Sequence, residues 1–241
     1  KKRRNSVLQL HFLGVYDMET MQNHPYKPFI PKDAKVLLLG SAPPYRFCTG
    51  NANDLKNKDM DYYYGSNSNL LWEILFTAFE PDKIDSISYL RSLEEDRKIK
   101  TAYQVDFLQS FLARNQLGMA DILLKFSRKG TSAEDYKLTV LEYQDILGIL
   151  YNNSSLTKIL CTSKNRVHYW LMDYLKQQKH YDLIEIRDNG SSLILKNNPH
   201  REIKIGILPS PSARSVMRYA NKTEFLQQVS QIYKQAITND E

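Results

Sequence analysis

Residues Val36–Pro44 read VLLLGSAPP. Four apolar residues stand together with no polar residue between them, and a Gly-Ser-Ala-Pro-Pro turn stops them. Such a run fits a strand buried on both faces, as in a parallel sheet. In sheets of that kind, ligands sit in the loops at the carboxyl ends of the strands. Two later runs repeat the pattern, Lys158–Cys161 (KILC) and Ile203–Leu208 (IKIGIL). The second runs straight into Pro209-Ser210-Pro211-Ser212-Ala213-Arg214.

Helical patterns fill the intervals. Leu70–Phe79 is a helix with Asn69 or Ser68 as its N-cap. Tyr103–Arg114, Gln144–Tyr151 and Thr223–Ile237 are further helices. Lys164–Gln177 is amphipathic, with Val167, Leu171 and Leu175 on one face. Ile84–Leu93 reads as a helix or as irregular, and Met119–Phe126 as a strand or a short buried helix. Gly130–Asp135 is a turn. Leu183–Ile186 and Ser192–Lys196 read as strands about the turn Asp188-Asn189-Gly190. Strands alternating with helices make an α/β protein. His24–Lys32 holds three prolines and is an extended lead-in. Tyr45–Asp61 is a long polar loop.

Composition narrows the classes. The chain has 241 residues, 42% hydrophobic and 25% charged, in the range of one soluble globular domain. No apolar run approaches the roughly 20 residues of a membrane helix. The expected division is a basic tail and lead-in over 1–34 and a single domain over 35–241. KKRR at the start is read as a tail rather than a signal peptide, because Gln9 and His11 interrupt the apolar stretch behind it. The net charge of +6 makes a polyanion a plausible partner, nucleic acid first. Cys48 and Cys161 are isolated thiols, which fits a reducing, cytoplasmic setting. No C-x-x-C or His/Cys cluster suggests a metal, and no cofactor is expected.

One stretch gathers binding chemistry. Tyr62–Leu75 reads YYYGSNSNLLWEIL. Aromatic rings that can stack on a flat ligand precede a small polar turn and a helix start, whose free N–H groups carry partial positive charge.

With GSAPP and LPSPSAR, this stretch resembles the uracil-DNA glycosylase superfamily, and within it the hypoxanthine-DNA glycosylase-like branch. Members of that branch carry G-S-M-P-G, then Y-Y-x-H-P-x-N-x-F-W, and later L-P-S-T-S-P-A. Here stand Gly40-Ser41-Ala42-Pro43-Pro44, then Tyr63-Tyr64 with Asn69 ahead of Trp72, then Leu208-Pro209-Ser210-Pro211-Ser212-Ala213. Between them, Gly118-Met119-Ala120-Asp121-Ile122-Leu123 and Arg128-Lys129-Gly130-Thr131-Ser132 are similar to G-I-x-L-x-D-V-L and R-x-G-S-x-D. The matches run in order from about Val36 to Ala213. Pro44 replaces a glycine, Ser66-Asn67 replace His-Pro, and the Tyr45–Asp61 loop is longer than usual.

The resemblance implies a three-layer sandwich with a short, mainly parallel central sheet flanked by helices. It also implies a monofunctional DNA glycosylase of base excision repair, acting on uracil or hypoxanthine in DNA by base flipping. Such an enzyme needs a positioned water, charge stabilisation for the leaving base and a rigid grip on the extruded nucleotide. Ala42 stands where uracil enzymes carry Asp and mismatch-specific ones Asn, and Leu208 where the uracil enzymes carry His. The matching motif residue is Asn69, whose amide can orient water and stabilise charge. Its alternative role is a helix cap. Ala42, Tyr63, Tyr64 and Asn67 are candidates for holding the base, with one of the two tyrosines expected in the site. Ser41, Pro209, Ser210, Ser212 and Arg214 are candidates for phosphates and the groove. Arg128 and Lys129 suit a basic edge or an exposed turn. Asp121 reads as a buttress rather than a second carboxylate, and His168 and His200 receive no role. Two other functions remain open: a non-catalytic nucleic-acid or nucleotide binder on the same fold, and an N-ribosyl hydrolase of free nucleosides.

Overall fold

The computed structural model describes residues 19–131, 134–180, 182–196 and 201–239. The basic tail up to Met18, together with Ser132 and His200, lies outside the described residues. The strands are β1 (Glu19–Asn23), β2 (Val36–Gly40), β3 (Leu117–Asp121), β4 (Leu123–Lys129), β5 (Leu138–Tyr143), β6 (Lys158–Cys161), β7 (Ile184–Arg187), β8 (Ser192–Leu195) and β9 (Glu202–Ile207). The helices are α1 (Leu71–Phe79), α2 (Asp85–Ser92), α3 (Arg97–Arg114), α4 (Ile146–Asn152), α5 (Tyr169–Leu175) and α6 (Lys222–Thr238).

The central sheet has the order β3-β2-β6-β9-β8-β7. Its first four strands are parallel, and β8 and β7 extend it antiparallel. Both faces are covered, as the unbroken apolar run of β2 requires. Leu37, Leu39, Ile159 and Cys161 pack with residues of α4 and α5. Val36, Leu38 and Leu160 turn the other way, to α1, α3 and α6. This is the three-layer α/β sandwich with a mainly parallel sheet. No helix of the described residues is long and apolar enough to cross a membrane.

The Met119–Phe126 stretch divides into two strands. β3 ends at Asp121, Ile122 is the joint, and β4 leaves for a second, antiparallel sheet of order β1-β4-β5. β1 and β5 carry no apolar signal that predicts them, since both are largely exposed. Phe126 of β4 is fully buried in the α4–α5 layer and anchors this sheet to the main core. α3 starts six residues earlier than Tyr103, because the Asp96 carboxylate accepts the Lys98 N–H at 3.0 Å and caps it there. The proline-rich lead-in covers the outer edge of β3. Phe29 and Met119 exchange backbone hydrogen bonds of 3.0 and 2.8 Å. Covering a sheet edge in this way removes a site of unwanted pairing.

The Tyr45–Asp61 loop is tied down by one carboxylate. The Asp59 side chain is wholly buried, and it accepts Arg46 Nε at 2.6 Å, the Lys56 N–H at 2.9 Å and the Asn67 N–H at 2.9 Å. Burial by itself would raise the Asp59 pKa. The Arg46 guanidinium and the two amides overcome it and hold the carboxyl below the usual value.

Two predictions follow from these anchors. Phe126→Ala should cost about 3–5 kcal/mol, the usual range for an emptied aromatic core site. Met21→Ala, at a 78% exposed position of the same sheet, should stay within about 0.5 kcal/mol. Denaturant midpoints of the two variants check this. For Asp59 the folded pKa lies below the unfolded one, so its stabilisation is present above about pH 3.9. It is lost as pH falls through the lower folded value. Asp59→Asn should therefore be less stable at neutral pH and should show a shallower loss of stability on acidification.

Candidate active site

The loops that leave the carboxyl ends of β2, β6 and β9, with the last residue of β3, border a cavity of about 390 Å³, within the roughly 300–1,000 Å³ of small-molecule sites. Ser41–Pro44 form one wall, and Ser210–Ser212 with Arg214 form another. Glu134–Tyr136, ahead of β5, close a third side. A larger hollow of about 670 Å³ lies between α6 and the β8–β9 pair, but none of these loops reaches it.

Asn69 is placed by a backbone zipper. It forms an antiparallel bridge with Ser212. The Leu70 N–H donates to Pro211 O at 2.9 Å, and the Ala213 N–H donates to Ser68 O at 3.1 Å. The buried Arg91 reinforces this turn by donating to Gly65 O at 3.0 Å and to Asn69 O at 3.3 Å. Asn69 Oδ1 accepts the Leu71 N–H at 2.9 Å. A backbone N–H can only donate, so the atom facing it is the oxygen. Nδ2 is then the other amide atom, and it has no protein partner among the described residues. The N-cap of α1 falls on Leu70, without a side-chain cap bond, rather than on Asn69 or Ser68; the Asn69 bond to Leu71 and the site role use opposite ends of one amide.

Of the two tyrosines, Tyr64 lines the cavity and Tyr63 does not. Tyr63 is 2% exposed, packed against His24, Tyr26 and Tyr62. The chain turns sharply between them, because Tyr64 has φ 53°. A bulky residue in that left-handed region is strained by about 1–3 kcal/mol. Its ring is anchored in return: Thr162 Oγ1 donates to Leu39 O at 3.2 Å, which leaves the Tyr64 hydroxyl to donate to Thr162 at 3.0 Å. Burial pushes the Tyr64 phenol well above its ordinary pKa and keeps it protonated.

Other expected residues divide similarly. Ser41, Ala42, Ser210, Ser212 and Arg214 line the cavity. Asn67 does not, because its backbone is drawn to Asp59 and its side chain is exposed. Pro209 is also set back, its carbonyl accepting the Tyr233 hydroxyl at 2.8 Å. Arg128 is no groove edge. It is 1% exposed and holds Gln22 and the Pro43 carbonyl, at 2.9 and 2.7 Å. Leu208 is core.

The cavity also contains charged residues, of which Glu134, Asp135 and Arg166 lie outside the motifs. Asp121 ends β3, and its Oδ2 is hydrogen-bonded to His24 Nε2 at 2.9 Å. It therefore buttresses the lead-in as expected, but it lines the cavity as well. Its Oδ1 and the Tyr64 hydroxyl lie so close over Gly40 that any Cβ there would collide with both. Asp135 accepts the Ser41 hydroxyl at 2.9 Å. Burial holds the Asp135 carboxyl above its usual pKa, and the negative Asp121 adds to this against the Ser41 bond and the charges of Arg128 and Arg166. Arg214 pairs with Glu134 across the mouth at 2.6 Å. Among the described residues, no group of three or more His, Cys, Asp or Glu stands together as a metal site.

The arrangement offers donors from Asn69 and Arg166, an acceptor from Asp121, and hydroxyls on both flanking loops. A flat polar ligand with N–H and C=O edges matches that set.

No protein-family model matches the chain, and no curated protein matches it in sequence. Among solved structures it is similar to the solution NMR structure of a protein from Methanosarcina acetivorans that carries the provisional name uracil DNA glycosylase. The identity is 16% and the TM-score 0.50, over 90% of this chain and 99% of that one. At that identity the likeness is one of fold: a central sheet flanked by helices, shared across nearly the whole length of both chains.

Proposed function

We propose that the protein is a monofunctional DNA glycosylase that hydrolyses the N-glycosidic bond of a deaminated base, uracil or hypoxanthine, in base excision repair. The carrying observation is the Asn69 amide, oriented by its bond to the Leu71 N–H on the wall of a cavity at the carboxyl ends of the parallel strands. The sequence resemblance to the hypoxanthine-type branch and the fold shared with the Methanosarcina protein support the same reading.

In this reading the target base is flipped into the cavity beside Tyr64, where stacking on an aromatic ring is worth roughly 1–3 kcal/mol. Deamination turns a ring nitrogen from an acceptor into an N–H donor next to a carbonyl. Asp121 Oδ1, which has no partner among the described residues, is an acceptor suited to that N–H. The amide of Asn69 orients the attacking water, since neither Ala42 nor Leu208 has a polar side chain to do so. Ser41, Ser210 and Ser212 serve the phosphates on either side. Arg214 fills the space the base leaves, after releasing Glu134. A pair that is 72% exposed at Arg214 is worth at most about 1 kcal/mol and yields readily to a phosphate.

A second reading keeps the DNA and drops the reaction, because no acid or base stands at position 42 or 208. One assay separates the two. Duplex and single-stranded oligonucleotides carrying uracil, hypoxanthine or xanthine are incubated with excess protein and then treated with alkali. Strand cleavage at one of these bases is expected. Asn69→Ala should lower the excision rate about 10²–10³-fold with DNA affinity retained. Salt-dependent binding without product, for every base, establishes the binding module instead.

A further inference from the structure

We propose that Arg166 is the electrophilic residue of this site, stabilising negative charge on the departing base in place of the histidine that Leu208 replaces. The inference rests on the glycosylase reading. Three observations carry it.

Arg166 lines the cavity. Its guanidinium has no hydrogen bond or ion pair among the described residues, unlike Arg46, Arg91, Arg128 and Arg214 around it. A part-buried guanidinium left without a protein anion is placed for an anion that arrives with the ligand. Its charge acts on Asp135, yet the two form no ion pair within 4.0 Å, and Asp135 is engaged by Ser41 instead.

The backbone carrying Arg166 is unusual. Lys164–His168 forms a π turn between the end of β6 and α5. Ser163 Oγ accepts the Val167 N–H at 3.2 Å and fixes the start of that turn. π turns are rare, cost helix geometry and concentrate at functional sites. Arg166 lies over the Trp170 ring, 5.9 Å from its centroid, which braces the side chain.

The chemistry fits a permanent cation. As the C1′–N bond breaks, its electron pair stays on the base and spreads to a ring carbonyl. Arg166 N–H groups hydrogen-bond that oxygen, and no proton is transferred, since guanidinium does not deprotonate in proteins. Water bonds to C1′ and loses a proton to solvent, and the base anion takes a proton from solvent. The products are an abasic sugar and a neutral base.

The test is single-turnover excision by wild type, Arg166→Gln and Arg166→Lys. The substrates are the base the protein excises and its more acidic ring-fluorinated analogue, 5-fluorouracil in the case of uracil. Arg166→Gln should lose about 10²–10³-fold on the natural base. It should lose at least about tenfold less on the fluorinated one, whose anion needs less help, with DNA affinity unchanged. Arg166→Lys, which keeps the charge without the planar fork, should recover part of the rate. Equal losses on both bases overturn the proposal. So does weaker DNA binding with a salt slope reduced by about one, the mark of a phosphate contact. If Arg166→Gln melts below the assay temperature, Arg166→Lys carries the same comparison. Wild-type excision with undiminished variants removes Arg166 alone, whereas no excision by wild type removes the glycosylase reading and this role with it.

Discussion

The site depends on the backbone zipper between residues 68–70 and 211–213. Those segments are far apart in sequence, and neither is a regular strand. Their mutual hydrogen bonds give each an edge partner that its own local sequence does not provide. Everything at the cavity wall inherits its position from this pairing. Asn69 is held from one side by Ser212 and from behind by Arg91, and its side chain accepts the N–H of Leu71, the first residue of α1. Arg91 is itself buried, with its Nε 3.6 Å from a Glu73 carboxylate oxygen. A loop–loop contact thus does the work that a rigid strand end does elsewhere in the sheet.

The central sheet was legible because burial on two faces leaves an unmistakable trace. VLLLG is apolar throughout, KILC and IKIGIL are apolar apart from Lys158 and Lys204, and each forms a parallel strand where expected. The outer sheet was not legible. β1 reads ETMQN and β5 reads LTVLEY, and both are mostly solvated, so no periodicity distinguishes them from loops. Ile122 joins two strands with no turn residue, which is why the stretch about it reads as one element. The π turn was equally hidden, since an apolar face at Val167, Leu171 and Leu175 looks the same whether the first turn is tight or wide.

The candidate site divides along a related line. Asn69, Tyr64 and the serines of the two strand-ending loops were found because they lie within motifs. Asp135 and Arg166 had no local signal. They meet only through the tertiary path of β4 and β5 on one side and of β6 and α5 on the other. The adjacent tyrosines show a finer limit. Whether Tyr63 or Tyr64 faces the cavity is decided by one left-handed φ angle, and no side-chain property of either residue encodes it.

Gly40 carries a consequence for how this family of shapes can vary. With Asp121 and Tyr64 meeting over it, the last position of β2 has no room for even a methyl group. Drift elsewhere in the cavity can proceed one residue at a time. Here it cannot, because any larger residue would have to displace a carboxylate held by His24 and a phenol held by Thr162 together. The three positions form a single heritable unit, exchangeable only as a set, and lineages that diverge at this cavity should differ around that unit before they differ within it.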